Sequence, residues 1–174
     1  METIKRNIAN AFTIANMLCG GASIIACVAG HCKVAIALII VAGIFDRYDG
    51  AMARKFNSES PLGVQLDSMA DALSFGIAPA VLIYMLKFYP VEKHWIMLGF
   101  ITVIYIVAGL FRLARYNAYG LDDDGNFMGI PITAAGMLLV AMALFSKKIP
   151  YEFYVGLVLV LSYLMVSKHK IRKR

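Results

Sequence analysis

The sequence predicts an all-α integral membrane protein, a bundle of six transmembrane helices with a short N-terminal interfacial helix. Three observations lead there. The 174 residues are 60% hydrophobic and only 16% charged, with a mean hydropathy of +0.71, far from the balance of a soluble domain. The apolar runs approach or exceed the roughly 17–25 residues that cross a bilayer as a helix. The breaks between them are short and polar, several carrying Pro or Gly, and β-barrel alternation is absent.

The start, METIKRNIANAF, sets Ile4 and Ile8 on one side of a helix with Lys5 and Arg6 nearby, a pattern that suits the membrane interface. It lacks a small-residue cleavage pattern after a short apolar core and is expected to be retained. Spans follow at about 11–30, 33–53, 63–86, 94–117, 130–146 and 150–167. The connections are the turn at His31 and Cys32, the polar KFNSES segment, KFYPVEK, the acidic LDDDGN loop and SKKIP. No repeat or low-complexity tract interrupts the chain, so residues 1–174 read as one membrane domain.

The basic residues set the orientation. Lys5, Arg6, Arg47, Arg54, Lys55, Arg112, Arg115, Lys168, Lys170, Arg172, Lys173 and Arg174 fall on one side, against Lys33, Lys87, Lys93, Lys147 and Lys148 on the other. Both termini are therefore expected in the cytoplasm of a multi-pass cell-membrane protein. In so apolar a chain the net charge of +6 fits lipid headgroups and topology rather than nucleic acid. Cys19, Cys27 and Cys32 are an odd number without metal-type spacing and read as small apolar fillers. His31, His94 and His169 sit near span ends with no catalytic pattern, and Trp95 reads as an interfacial anchor. The acidic run Asp122, Asp123 and Asp124 does not match an EF-hand and reads as solvated.

Residues 45–71, FDRYDGAMARKFNSESPLGVQLDSMAD, carry the chemistry. Asp46 and Asp49 lie three apart and Asp67 and Asp71 four apart, so each pair occupies one helix face. Carboxylates at membrane depth are rare and need a reason. The second and third spans form a hairpin, with Pro61 in a first helical turn where its missing N–H is harmless. Its four carboxylates face each other in the cytoplasmic half. Crowded in a low dielectric they repel strongly unless cations compensate. Two divalent ions supply that charge, and oxygen-only ligation favours Mg²⁺, Mn²⁺ or Ca²⁺ over zinc. A pair of such ions is one way to stabilise phosphoryl transfer.

Neighbouring residues admit two readings each. Gly50, Ala53 and Gly63 keep the helix surfaces low, either for a phosphate or base or for helix packing. Arg54 either binds a phosphate oxygen or snorkels to the interface. Asn10, Thr13 and Asn16 recur at three-residue spacing on one face of the first span, where interhelical hydrogen bonding is the simpler account.

The pattern D-x-x-D-G-x-x-A-R-x8-G-x-x-x-D-x-x-x-D is met without departure by Asp46, Asp49, Gly50, Ala53, Arg54, Gly63, Asp67 and Asp71. It resembles the signature of the CDP-alcohol phosphotransferases, membrane enzymes that move a phosphatidyl or related group from a CDP-linked donor to an alcohol. The resemblance implies that the four aspartates bind two divalent cations, and that Asp71 also serves as general base. It further implies that Gly50, Ala53, Arg54, Ser60 and Gly63 line the CDP-lipid site, with Asn10, Thr13 and Asn16 on the cytidine side. A homodimer is expected on the same ground.

The remaining chain bears on the acceptor. FRLARYN places Arg112 and Arg115 three residues apart with Asn117 beyond. Two guanidiniums can clamp a carboxylate or phosphate, although topology also calls for basic residues there. LDSMADALSFGIAPA, FRLARYN and FMGIPITAAG together resemble the phosphatidylserine synthase branch, from which Thr133 departs where proline is frequent. That branch implies L-serine as acceptor, an Arg on its carboxylate, and phosphatidylserine (or its archaetidyl counterpart) and CMP as products. Glycerol 3-phosphate or inositol 1-phosphate is the alternative acceptor. A cation transporter is the alternative class, disfavoured because the acidic groups cluster in one half of the membrane.

Overall fold

The computed structural model describes residues 2–56, 61–120, 127–167 and 170–171. Ser60, the Asp122 to Asp124 run, His169 and the end of the basic tail lie outside the described residues. So do the side chains of residues 2–9, Asp49, Ala53 and Arg54.

The described chain is helical apart from one short strand pair. Helix α1 (Glu2–Val28) leads into α2 (Cys32–Phe56); α3 (Pro61–Asp71), a π-helical turn (Ala72–Ile77), α4 (Ala78–Ile83) and a second π turn (Tyr84–Phe88) follow. A 3₁₀ turn (Glu92–His94) precedes α5 (Trp95–Tyr119), and α6 (Ile132–Leu144) and α7 (Tyr151–Val166) complete the bundle. Strands β1 (Phe127–Met128) and β2 (Lys170–Ile171) pair antiparallel. Each expected span falls on helix. The expected separate helix at the start is instead the opening of α1, which runs through residue 10 without a break.

Among the described residues, three helical stretches are long and apolar enough to cross a membrane: Asn10–Val28, Leu62–Phe88 and Trp95–Tyr119. Helix α2 has the length but carries Asp46, Arg47 and Asp49 in its second half. Helices α6 and α7, with 13 and 16 residues, are shorter than the usual span. Exposed large side chains mark the lipid-facing surface, including Leu18 (68%), Ile25 (73%), Ile96 (69%) and Phe100 (68%). In water such a surface would be an aggregation hazard; in a bilayer it is the solvated face. This is a membrane protein.

The turn between α1 and α2 is a Schellman cap. Gly30 takes a positive φ of 86°, its N–H donates to the Cys27 carbonyl at 3.0 Å, and the His31 N–H donates to the Ala26 carbonyl at 2.8 Å. These bonds satisfy two of the carbonyls that the end of α1 would otherwise leave open. The Ser23 hydroxyl donates to the Ala35 carbonyl at 3.0 Å, tying α1 to α2.

The core forms around the first π turn. Phe75, Leu82, Ile83, Leu98, Tyr105, Ile132, Leu139, Tyr154 and Met165 are buried there. Pro79 explains part of the local geometry. It has no N–H to offer the carbonyl four residues back, which belongs to Phe75, and its ring crowds that carbonyl. A π turn relieves such a conflict. The freed carbonyl of Phe75 is approached by the Tyr105 hydroxyl at 3.4 Å. It also faces Gly136 of α6 so closely that a Cβ there would collide with it.

Gly136→Ala should therefore lower thermal stability in detergent, by about 1–3 kcal/mol for overpacking, as read from the unfolding midpoint. Gly156→Ala, where a Cβ meets nothing within 4 Å, is the matched control and should leave the midpoint unchanged or slightly raised.

Candidate active site

Helices α2 and α3 deliver the carboxylates. Asp46 lies in the second half of α2, Asp67 and Asp71 in the last two turns of α3. One oxygen from each lies within 4.8 Å of the others, with Asp46 and Asp71 half-buried and Asp67 exposed. The Asp46 and Asp71 carboxyl groups are close neighbours within this cluster. The fourth aspartate expected from the sequence, Asp49, has its side chain outside the described residues. The described members of the cluster are all carboxylates. That donor set fits a hard divalent cation and is a poor match for zinc or copper, which favour nitrogen and sulfur.

Helix α1 forms one wall. Phe12 stacks on Tyr48 (centroids 6.4 Å apart, planes at 25°) and tilts against Phe45 at 6.1 Å, which sets α1 beside the turn holding Asp46. Four residues further, the Asn16 carbonyl accepts a hydrogen bond from the Ser74 hydroxyl at 3.1 Å, just past Asp71. Gly20 makes that closeness possible, because a Cβ there would strike Ser74. The Asn16 side chain is fully buried, and neither its oxygen nor its nitrogen has a hydrogen-bond partner among the described residues. Buried amides left open in this way call for an explanation, and a polar ligand is one. Thr13 is buried on the same face, and Asn10 is half-exposed.

Helix α5 also approaches the site. Arg112, only 7% exposed, lies 5.4 Å from the centroid of the Tyr116 ring and within electrostatic reach of Asp71. Its Nε has no hydrogen-bond partner among the described residues. The Asn117 amide donates to the Ser68 hydroxyl at 2.8 Å, linking the end of α5 to the helix that carries Asp67 and Asp71. Arg115 turns away from this group toward backbone carbonyls of α7 and β1.

Of the residues singled out in the sequence, Asp46, Asp67, Asp71 and Arg112 thus converge, with Thr13 and Asn16 alongside. Gly50 and Gly63 lie half-buried in α2 and α3. Ser68, Ser74 and Pro79 were not singled out. All three stand in LDSMADALSFGIAPA, but a serine has no periodic signature of its own, and its bonding partner here is distant in sequence.

Comparison with known proteins gives the family. A profile of the CDP-alcohol phosphatidyltransferases matches residues 6–167. The chain belongs to the CDP-alcohol phosphatidyltransferase family. Among curated members similar to it is a CDP-diacylglycerol–serine O-phosphatidyltransferase of Helicobacter pylori J99, 32% identical over 165 residues, covering 91% of this chain and 68% of that one. The Bacillus subtilis 168 enzyme of the same name is 35% identical over 158 residues, covering 91% and 85%. Its namesake in Methanocaldococcus jannaschii is 39% identical over 103 residues, covering 59% and 47%.

The Ser68–Asn117 bond is open to a double-mutant cycle. Ser68→Ala, Asn117→Ala and the double variant, compared by unfolding midpoint, should show a coupling of about 0.5–1 kcal/mol, the range for a neutral hydrogen bond near solvent. A coupling of zero would mean that the bond does not join the two helices.

Proposed function

We propose that this protein works in phospholipid biosynthesis as a CDP-diacylglycerol–serine O-phosphatidyltransferase, moving a phosphatidyl or archaetidyl group from a CDP-linked lipid to the hydroxyl of L-serine and releasing CMP. The observation that carries this reading is the convergence of Asp46, Asp67 and Asp71 within 4.8 Å, with Arg112 in electrostatic reach of Asp71. The serine phosphatidyltransferases among its relatives support the choice of acceptor.

In this account Asp46, Asp49, Asp67 and Asp71 hold two divalent cations, Mg²⁺ or Mn²⁺ with Ca²⁺ also compatible, which when bound neutralise charge on the donor pyrophosphate and the departing CMP. Asn10, Thr13 and Asn16 receive the nucleotide, the open Asn16 amide pairing with the base. Gly50, Ala53, Arg54, Ser60 and Gly63 line the rest of the CDP site. Arg112 meets the carboxylate of serine, its guanidinium held in place by the Tyr116 ring. Asn117, tied to Ser68, closes the acceptor side.

Asp71 takes the proton from the serine hydroxyl. The serine oxygen then bonds to the lipid-proximal phosphorus while the bond from that phosphorus to the bridging pyrophosphate oxygen breaks. CMP carries away the electron pair, with Arg54 beside it. One displacement suffices, because no Ser, Cys or His stands out in the sequence as an activated nucleophile.

The membrane arrangement belongs to the same proposal. Residues 1–174 form one domain with six transmembrane helices, the opening of α1 lying in the interface. Both termini and the carboxylates face the cytoplasm, and the protein works as a homodimer.

Purified protein incubated with CDP-diacylglycerol, Mg²⁺ or Mn²⁺ and a panel of alcohols should release CMP with serine. Release with glycerol 3-phosphate but not with serine would transfer the assignment to that acceptor. Asp71→Asn should reduce turnover about 10²–10⁴-fold, and full turnover in that variant would remove its role as base. Arg112→Ala should raise the KM for serine about tenfold or more while changing kcat less, the mark of lost acceptor binding.

A further inference from the structure

Spacing alone pairs Arg112 with Arg115, yet their guanidiniums have different partners. Arg115 Nη1 donates to the Val166 carbonyl at 2.9 Å, and Nη2 donates to the Met128 carbonyl at 3.0 Å. Longer contacts of 3.4 Å run from Nη2 to the carbonyls of Met165 and Ser167. Three of these oxygens belong to the C-terminal end of α7, where helix termination leaves carbonyls open. A guanidinium suits them: it only donates, its fork spans several oxygens, and its charge is favourable at a helix C-terminus.

The surrounding backbone is shaped for this closeness. Gly129 has a φ of 73°, and a Cβ there would collide with the Met165 carbonyl oxygen. The Ile130 N–H donates to the Leu164 carbonyl at 3.3 Å, and β1 pairs with β2 just beyond α7. Three segments distant in sequence thus meet at one side chain. On α5 that side chain stands one turn after Arg112 and two residues before Asn117.

We propose that Arg115 is a positioning residue for the acceptor side of the site. It clasps the carbonyls of Met128, Met165, Val166 and Ser167, and so fixes the end of α5 that carries Arg112 and Asn117. It does not touch the acceptor. The inference rests on the serine-transferase reading for the identity of the acceptor, while the clasp itself does not.

The test uses wild type, Arg115→Ala, Arg115→Lys and Arg112→Ala in detergent. Amide hydrogen exchange is followed in peptides covering 127–131 and 163–167, and CMP release is followed with serine varied. Arg115→Ala should speed exchange in both segments about tenfold or more and raise the serine KM about tenfold with a smaller change in kcat. Arg112→Ala should raise that KM with exchange in both segments unchanged. Arg115→Lys, which keeps the charge but not the fork, should restore part of both properties.

A raised KM with wild-type exchange in the Arg115 variants would make Arg115 a direct acceptor contact and overturn the proposal. Faster exchange with an unchanged KM would reduce the clasp to a structural one, also overturning it. If Arg115→Ala does not fold, Arg115→Lys is judged by the same two readouts. If wild type releases no CMP with serine, the acceptor assignment fails, and the kinetic arm is run with the alcohol that does support release.

Discussion

Mutual repulsion among the aspartates is the constraint on which the rest of the structure depends. Oxygens of Asp46, Asp67 and Asp71 lie within 4.8 Å of one another. Two unit charges about 5 Å apart repel by about 3 kcal/mol at an effective dielectric near 20. Against a total folding stability of about 5–15 kcal/mol, several such pairs are a heavy load. A helix hairpin keeps this grouping only if cations or shared protons balance it, and in the proposed function it is the cations that hold the pyrophosphate. On the proposed reading, the same repulsion becomes the source of the cluster's affinity for divalent ions.

Holding the cluster in place falls to groups that carry no charge. Pro79 withdraws a hydrogen bond from the Phe75 carbonyl, and the helix widens into a π turn directly after Asp71. Gly20 and Gly136 let α1 and α6 close on that turn from either side, and Ser74 bonds to α1 at the Asn16 carbonyl. Asp71 is therefore gripped from its C-terminal side, while Ser68 and Asn117 brace α3 against α5. Rigid support of this kind suits the general-base role proposed for Asp71, since small displacements of a reacting group are costly to rate.

Much of this was legible in the sequence because it is periodic. The three- and four-residue spacings put carboxylates on facing helix surfaces, and hydropathy located the helices, since both depend only on residues near in sequence. What escaped depends on distant partners. Arg112 and Arg115 look equivalent at their spacing, but one lies buried against Tyr116 near Asp71 and the other caps α7. Ser68 and Ser74 acquire meaning only once α5 and α1 are packed against them. The start of α1 was expected as a separate element because its amphipathic pattern differs from the apolar stretch after it. A change of pattern need not interrupt the hydrogen-bonded helix, and here it does not.

The C-terminal ends of α5 and α7 thus meet near the carboxylates of α2 and α3, an arrangement that on the proposed reading would separate acceptor choice from phosphoryl transfer. The claim beneath all of this is that the carboxylate cluster is a divalent cation site. Mn²⁺ titration of the purified protein, with free ion followed by electron paramagnetic resonance, tests it most directly. Saturable binding that is lost in the Asp67→Asn, Asp71→Asn double variant, with the fold of that variant intact by circular dichroism, is the predicted result. Undiminished Mn²⁺ binding in that variant would contradict the account.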